Sequence, residues 1–73
     1  MSKIIIDIQD RSEYNLWHYP GSINIPYDDL MNNYRSYLNK NDTYYFYCKS
    51  GKLARRASTI LSYLGYNAKH IEK

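Results

Sequence analysis

One side chain in this 73-residue chain has the chemistry of a strong nucleophile: Cys48, the only cysteine. Thr43-Tyr44-Tyr45-Phe46-Tyr47, immediately before it, is β-branched and aromatic and reads as a buried strand. Lys49-Ser50-Gly51-Lys52, immediately after it, is basic, small and turn-prone, and an amphipathic helical pattern begins at Leu53. A thiol between the C-terminal end of a strand and a helix N-terminus is favoured as the thiolate, the nucleophilic form. The competing reading is a buried, inert small hydrophobe, the usual fate of a free cysteine. The loop position and the two neighbouring lysines favour the reactive thiol.

Small residues in a strand-to-helix loop let backbone N–H groups turn inward and form a nest for an anion, here the Cys48 thiolate or a group carried on it. Gly51 supplies a dihedral angle that other residues resist, and Ser50 and Gly51 allow close approach of a ligand. Lys49 and Lys52 add positive field. Arg55 and Arg56 fall in the first helical turn, where cations oppose the helix dipole. Attraction of an anionic substrate accounts for them; for Arg56 a solvated face accounts equally well.

Asp7, near the end of the first strand, is the second group placed where α/β folds gather their chemistry. It reads as a charge holding loop backbone in place, or as a residue orienting the Cys48 loop. His18 sits in a turn, which suggests a side chain bonded to backbone rather than a general base. Trp17 and Tyr47 read as packing.

The elements that must position these groups alternate legibly. Lys3 to Ile8 is a strand, its Ile4-Ile5-Ile6 run expected of a parallel strand covered on both faces. Asp10 to Tyr14 is a short helical turn capped by Asp10, with Glu13 at N3. Pro20-Gly21 fixes a type II turn, and Ile23-Asn24-Ile25 is a short extended piece. Leu30, Met31, Tyr34 and Leu38 recur at helical spacing and predict a helix over 27–38. A second helix over 53–64 carries Leu53, Ala57, Ile60, Leu61 and Leu64 on one face and stops at Gly65. Residues 67–71 form a last strand. The fold class is α/β, a small parallel β-sheet flanked by α-helices on both faces, with right-handed crossovers.

Composition narrows the function. Seventy-three residues make one domain at most, expected to span 1–73, near the lower limit for a core without staples. One cysteine excludes an internal disulfide, and no Cys/His cluster has zinc spacing, so no metal site is expected. Ten tyrosines to one phenylalanine supply apolar area with wet hydroxyls, most expected at half-buried sites. The N-terminal apolar run is too short for a signal peptide, no stretch reaches transmembrane length, and a reduced cytoplasmic location is expected. Net charge is +3 without a basic stripe or nucleic-acid motif, which argues against nucleic acid and membrane as partners.

Cys48-Lys49-Ser50-Gly51-Lys52-Leu53 resembles the active loop of the rhodanese (sulfurtransferase) family. Ile5-Ile6-Asp7-Ile8 resembles that family's first-strand signature. The segment from His18 to Pro26 closely matches its His-Ile-Pro-Gly-Ala/Ser-x-Asn-Ile-Pro stretch. Tyr45-Phe46-Tyr47-Cys48 and Ala57 to Tyr66 resemble its strand-nucleophile and the following helix. The ordered set covers nearly the whole chain.

The resemblance implies persulfide chemistry: Cys48 takes sulfane sulfur from a small anionic donor such as thiosulfate and passes it to a thiol or to cyanide. It implies Cys48 as the catalytic residue and 49–53 as the anion-binding loop, with Asp7 and Arg55 supporting and no metal or organic cofactor needed. The chain also departs from the pattern. Leu53 and Ala54 stand where a basic residue and a serine are common, Gln9 replaces an arginine, Trp17 replaces a glycine, and Lys73 ends the chain where relatives continue. A pared-down domain short at its C-terminus is therefore expected. The departures keep open a second reading, a rhodanese-like binding or sulfur-relay module acting with a protein partner. A related cysteine phosphatase is disfavoured, because it needs an arginine at the sixth position after the cysteine, where this chain has Ala54. Arsenate reduction lacks a resolving cysteine.

Overall fold

The computed structural model describes residues 2–72; Met1 and Lys73 lie outside the described residues. The order is β1 (Lys3–Asp7), α1 (Arg11–Leu16), β2 (Ile23–Asn24), α2 (Tyr27–Asn32), α3 (Tyr34–Tyr37), β3 (Thr43–Tyr47), α4 (Lys52–Tyr63) and β4 (Asn67–His70). The strands form one parallel sheet in the order β2-β1-β3-β4. The chain steps one way from β1 to β2 and the other way to β3 and β4. Right-handed crossovers then place α1 on one face and the remaining helices on the other.

The two faces of the sheet differ sharply. Ile4 pairs with Tyr44 and Ile6 with Phe46, so these side chains point the same way. Ile6, Tyr44 and Phe46 are buried and join Ile8, Leu30, Leu38, Ala54, Ala57 and Leu61 in the core. The fully buried Tyr44 keeps its hydroxyl satisfied by accepting the Asn39 N–H at 2.8 Å. On the other face Ile5 pairs with Tyr45 and Asp7 with Tyr47. α1, the helix on that side, contributes no buried residue.

Several local expectations change. The helix expected over 27–38 is two, broken at Asn33, whose φ of −135° and ψ of 27° leave the helical region. The Asn33 side-chain amide donates to the carbonyl and carboxylate of Asp29, so a local polar bond competes with helix continuation. The Asp10 side chain makes no capping bond, and the Asp10–Glu13 box does not form. Both carboxylates line a cavity beside Cys48 instead.

The buried stripe of α4 is Ala54, Ala57, Ser58 and Leu61, whereas Leu53, Ile60 and Leu64 are 38–40% exposed. Two alanines let the helix lie close against the aromatic strand β3, which rotates the bulkier residues outward. Gly65 ends it at φ 100°, with Tyr66 N–H bonded to Leu61 O and Gly65 N–H to Ser62 O, the paired bonds of a Schellman stop. The Pro20-Gly21 turn forms as expected, with Gly21 at φ 83° and Ser22 N–H on Tyr19 O at 3.0 Å. The last strand ends at His70, although Ile71 N–H still bonds Phe46 O.

Candidate active site

β3 delivers Cys48 to the carboxyl edge of the sheet, and the loop that follows turns back beneath it. Gly51, at φ 83° and ψ −13°, occupies the left-handed region at the N-cap of α4. Its N–H lies 3.2 Å from Cys48 Sγ, the Ala54 N–H lies 3.3 Å away, and Ser50 Oγ stands at 3.9 Å. Ser50 Oγ also accepts the Lys52 N–H, which fixes the serine within the loop. Both backbone groups are donors aimed at sulfur from the first turn of a twelve-residue helix. Such an arrangement stabilises negative charge on Sγ and on an atom bonded to it.

Cys48 is 5% exposed and forms part of the wall of a cavity of about 450 Å³. Ile8, Pro26, Tyr27 and Leu53 supply apolar wall. The charged lining is three carboxylates, Asp10, Glu13 and Asp28, against one ammonium, Lys49. Lys52 and Arg55 do not face this space; they line a second cavity with His70 and Glu72. There His70 Nε2 pairs with Glu72 at 2.8 Å, and His70 Nδ1 lies 3.3 Å from Ser58 Oγ. The cations that the sequence groups around one loop are thus divided between its two sides.

Asp7 is wholly buried, and its carboxylate accepts from Gln9 N–H, Gln9 Nε2 and Tyr19 N–H at 3.0, 3.0 and 3.4 Å. Gln9 therefore bonds Asp7 as a neutral amide and reaches on to Trp17 O. Burial raises the Tyr47 phenol above its usual range, and the neighbouring Asp7 and Cys48 raise it further.

The whole chain, residues 1–73, matches the rhodanese-like domain family. The chain is a rhodanese-like domain. It is 35% identical over 68 residues to the Escherichia coli thiosulfate sulfurtransferase PspE, covering 92% of this chain and 64% of that protein. It is 35% identical over 65 residues to the tRNA sulfurtransferase of Pyrobaculum aerophilum, covering 89% of this chain and 13% of that protein. A solved structure described as a rhodanese with anions from E. coli superposes with a TM-score of 0.77 at 32% identity. That match covers 93% of this chain and 81% of the other. The chain thus spans less than two thirds of the length of the curated relatives named here.

Within this rhodanese-like domain, Cys48, Lys49, Ser50 and Leu53 meet at one cavity, with Gly51 beneath the sulfur. Lys52 and Arg55 stand apart from that cavity. The bonds of Asp7 run to Gln9 and Tyr19, not to the Cys48 loop, so any orienting effect on the loop passes through the β1–β3 pairing. His18 Nδ1 lies 3.0 Å from Tyr14 O and its ring stacks on Tyr14, in keeping with a backbone-bonded turn histidine. Trp17, expected in packing, is 56% exposed, with its ring edge against Tyr47. Ala54 was missed as a site residue because its contribution is a backbone N–H, to which a side-chain pattern is blind. Asp10, Glu13 and Asp28 were missed because two separate segments, the starts of α1 and α2, bring them to the Cys48 cavity. Among the described residues no His/Cys/Asp/Glu group could hold a metal ion, and no helix is long and apolar enough to cross a membrane.

Proposed function

We propose that this rhodanese-like domain is a sulfurtransferase that carries sulfane sulfur as a persulfide on Cys48. The observation that carries the reading is the pair of backbone N–H groups, from Gly51 and Ala54, directed at Cys48 Sγ. The Cys48 thiolate attacks the outer sulfur of thiosulfate or a related donor. The S–S bond of the donor breaks, sulfite leaves with the electron pair, and a persulfide remains on Cys48. A thiolate or cyanide then attacks the terminal sulfur, the Sγ–S bond breaks, and Cys48 returns as thiolate. No external oxidant or reductant enters, and no cofactor is required.

In this reading Cys48 is the nucleophile. The Gly51 and Ala54 N–H groups hold negative charge on sulfur, and Ser50 shapes the loop. Lys49 and Leu53 meet the substrate, while Asp7, Lys52 and Arg55 act from a distance. A reducing compartment such as the cytoplasm keeps the single thiol ready. The split of the cations also favours a second reading, a sulfur-relay module whose partner completes the donor site, because Lys52 and Arg55 face away from the Cys48 cavity.

Intact mass spectrometry after incubation with thiosulfate tests the proposal. One added sulfur is expected on the protein, and none on Cys48→Ser. Absence of the adduct with thiosulfate, polysulfide and mercaptopyruvate alike would sink the sulfurtransferase reading.

A further inference from the structure

The Cys48 cavity does not end at the loop. A second hollow of about 250 Å³ adjoins it, with Gln9, Glu13 and Lys49 in the lining of both. Leu16 and Trp17, 87% and 56% exposed, line the far end. No residue of α1 is buried, so the apolar surface of Leu16 has no use in holding this domain together. Exposed large apolar side chains beside a reactive group mark a contact surface.

The charge of the groove runs against that of the molecule. The chain carries net +3, yet the charged groove lining is Asp10, Glu13 and Asp28 against Lys49 alone. Among the described residues the three carboxylates have no ion-pair partner, the one ion pair being His70–Glu72. Carboxylates around the sulfur favour an acceptor with cationic neighbours over a small anionic thiol, while Lys49 is the cation that meets an anionic donor. The Cys48 cavity, at about 450 Å³, by itself also exceeds what thiosulfate or a simple thiol fills.

We infer that the sulfur acceptor is a cysteine in a polypeptide segment with basic and apolar neighbours, docked along the groove from Asp28 past Cys48 to Leu16 and Trp17. This rests on the sulfurtransferase reading for its chemistry, but the docking itself does not. The basic side chains of the segment meet Asp10, Glu13 and Asp28, and an apolar side chain covers Leu16 and Trp17. The acceptor thiolate attacks the terminal sulfur of the Cys48 persulfide, the Sγ–S bond breaks, and the persulfide moves to the partner with Cys48 leaving as thiolate.

Trp17, the only tryptophan, reports the docking directly by its fluorescence. The probes are short blocked peptides carrying two lysines and a leucine around a central serine that stands in for the cysteine, and matched peptides with glutamates for the lysines. The lysine peptide is expected to shift Trp17 emission saturably, with binding about tenfold tighter than the glutamate peptide at low salt and converging at high salt. Glu13→Gln with Asp28→Asn is expected to weaken lysine-peptide binding about threefold to tenfold. Equal binding of the two peptides, or binding of neither, overturns the inference. Cysteine versions of the peptides are then offered to persulfide-loaded protein, with free cysteine and glutathione compared per thiolate. Faster sulfur loss to the lysine peptide is expected; equal or faster loss to the small thiols also overturns the inference. Selective docking without any persulfide overturns the sulfurtransferase reading and leaves the docking groove standing.

Discussion

The Ala54 N–H lies 3.3 Å from Cys48 Sγ across six residues of chain, while the alanine itself is fully buried. One residue thus does two things. Its methyl fixes the start of α4 against the sheet, and its backbone, placed by that anchoring, presents a donor to sulfur. Ala54 thus supplies the donor without bringing a hydroxyl to the loop.

The second donor depends on a dihedral angle. Gly51 at φ 83° turns its N–H towards Cys48 Sγ. Gly51→Ala is expected to cost about 1–2 kcal/mol of stability, the penalty of a Cβ in the left-handed region. It is also expected to slow persulfide formation by at least about tenfold, as loss of a preorganised donor does. Thermal melts and the rate of sulfur adduct formation by mass spectrometry check the two effects, and wild-type values for both would refute the loop geometry.

The rotated face of α4 separates two neighbouring residues. Leu61 is wholly buried and Ile60 is 38% exposed. Leu61→Ala is expected to cost about 2–5 kcal/mol, whereas Ile60→Ala should cost under about 1 kcal/mol. Urea denaturation of both variants decides it. Similar losses would restore the helix face in which both residues pack inward.

Alkaline pH should single out Tyr47. Burial, then the Asp7 and Cys48 charges, hold its phenol protonated above the usual value of 10.0. An unfolded tyrosine releases its proton near that value, so the stability due to the protonated native phenol is intact below about pH 10. It is lost as pH rises through the higher native value. Tyr37, raised through its bond to Asp29, adds to the same trend. Melting temperature should therefore fall above about pH 10, and less steeply in Tyr47→Phe. An identical slope in wild type and variant would contradict the placement of Tyr47.

Much of this protein was legible along the chain. The aromatic run before Cys48, the Pro-Gly turn, the helix-stopping Gly65 and the alternation of elements are local signals, set by backbone sterics and by periodicity. They determined the parallel α/β class and the place of Cys48 and its loop between β3 and α4. The break at Asn33 was less visible, because a side-chain bond to Asp29 competes with an otherwise unbroken helical pattern.

What only the tertiary structure decided depends on separate segments meeting. Periodicity gave α4 an apolar arc but not its rotation, which the close fit of Ala54 and Ala57 under the sheet selects. Nor does spacing say that Lys52 and Arg55 turn away while Asp10, Glu13 and Asp28 converge on the sulfur's cavity. Cys48 was fixed by its sequence neighbours as a thiol poised between strand and helix. The charge it faces was fixed by residues up to 38 positions away in the chain, because electrostatics follows distance in space and not order along the backbone.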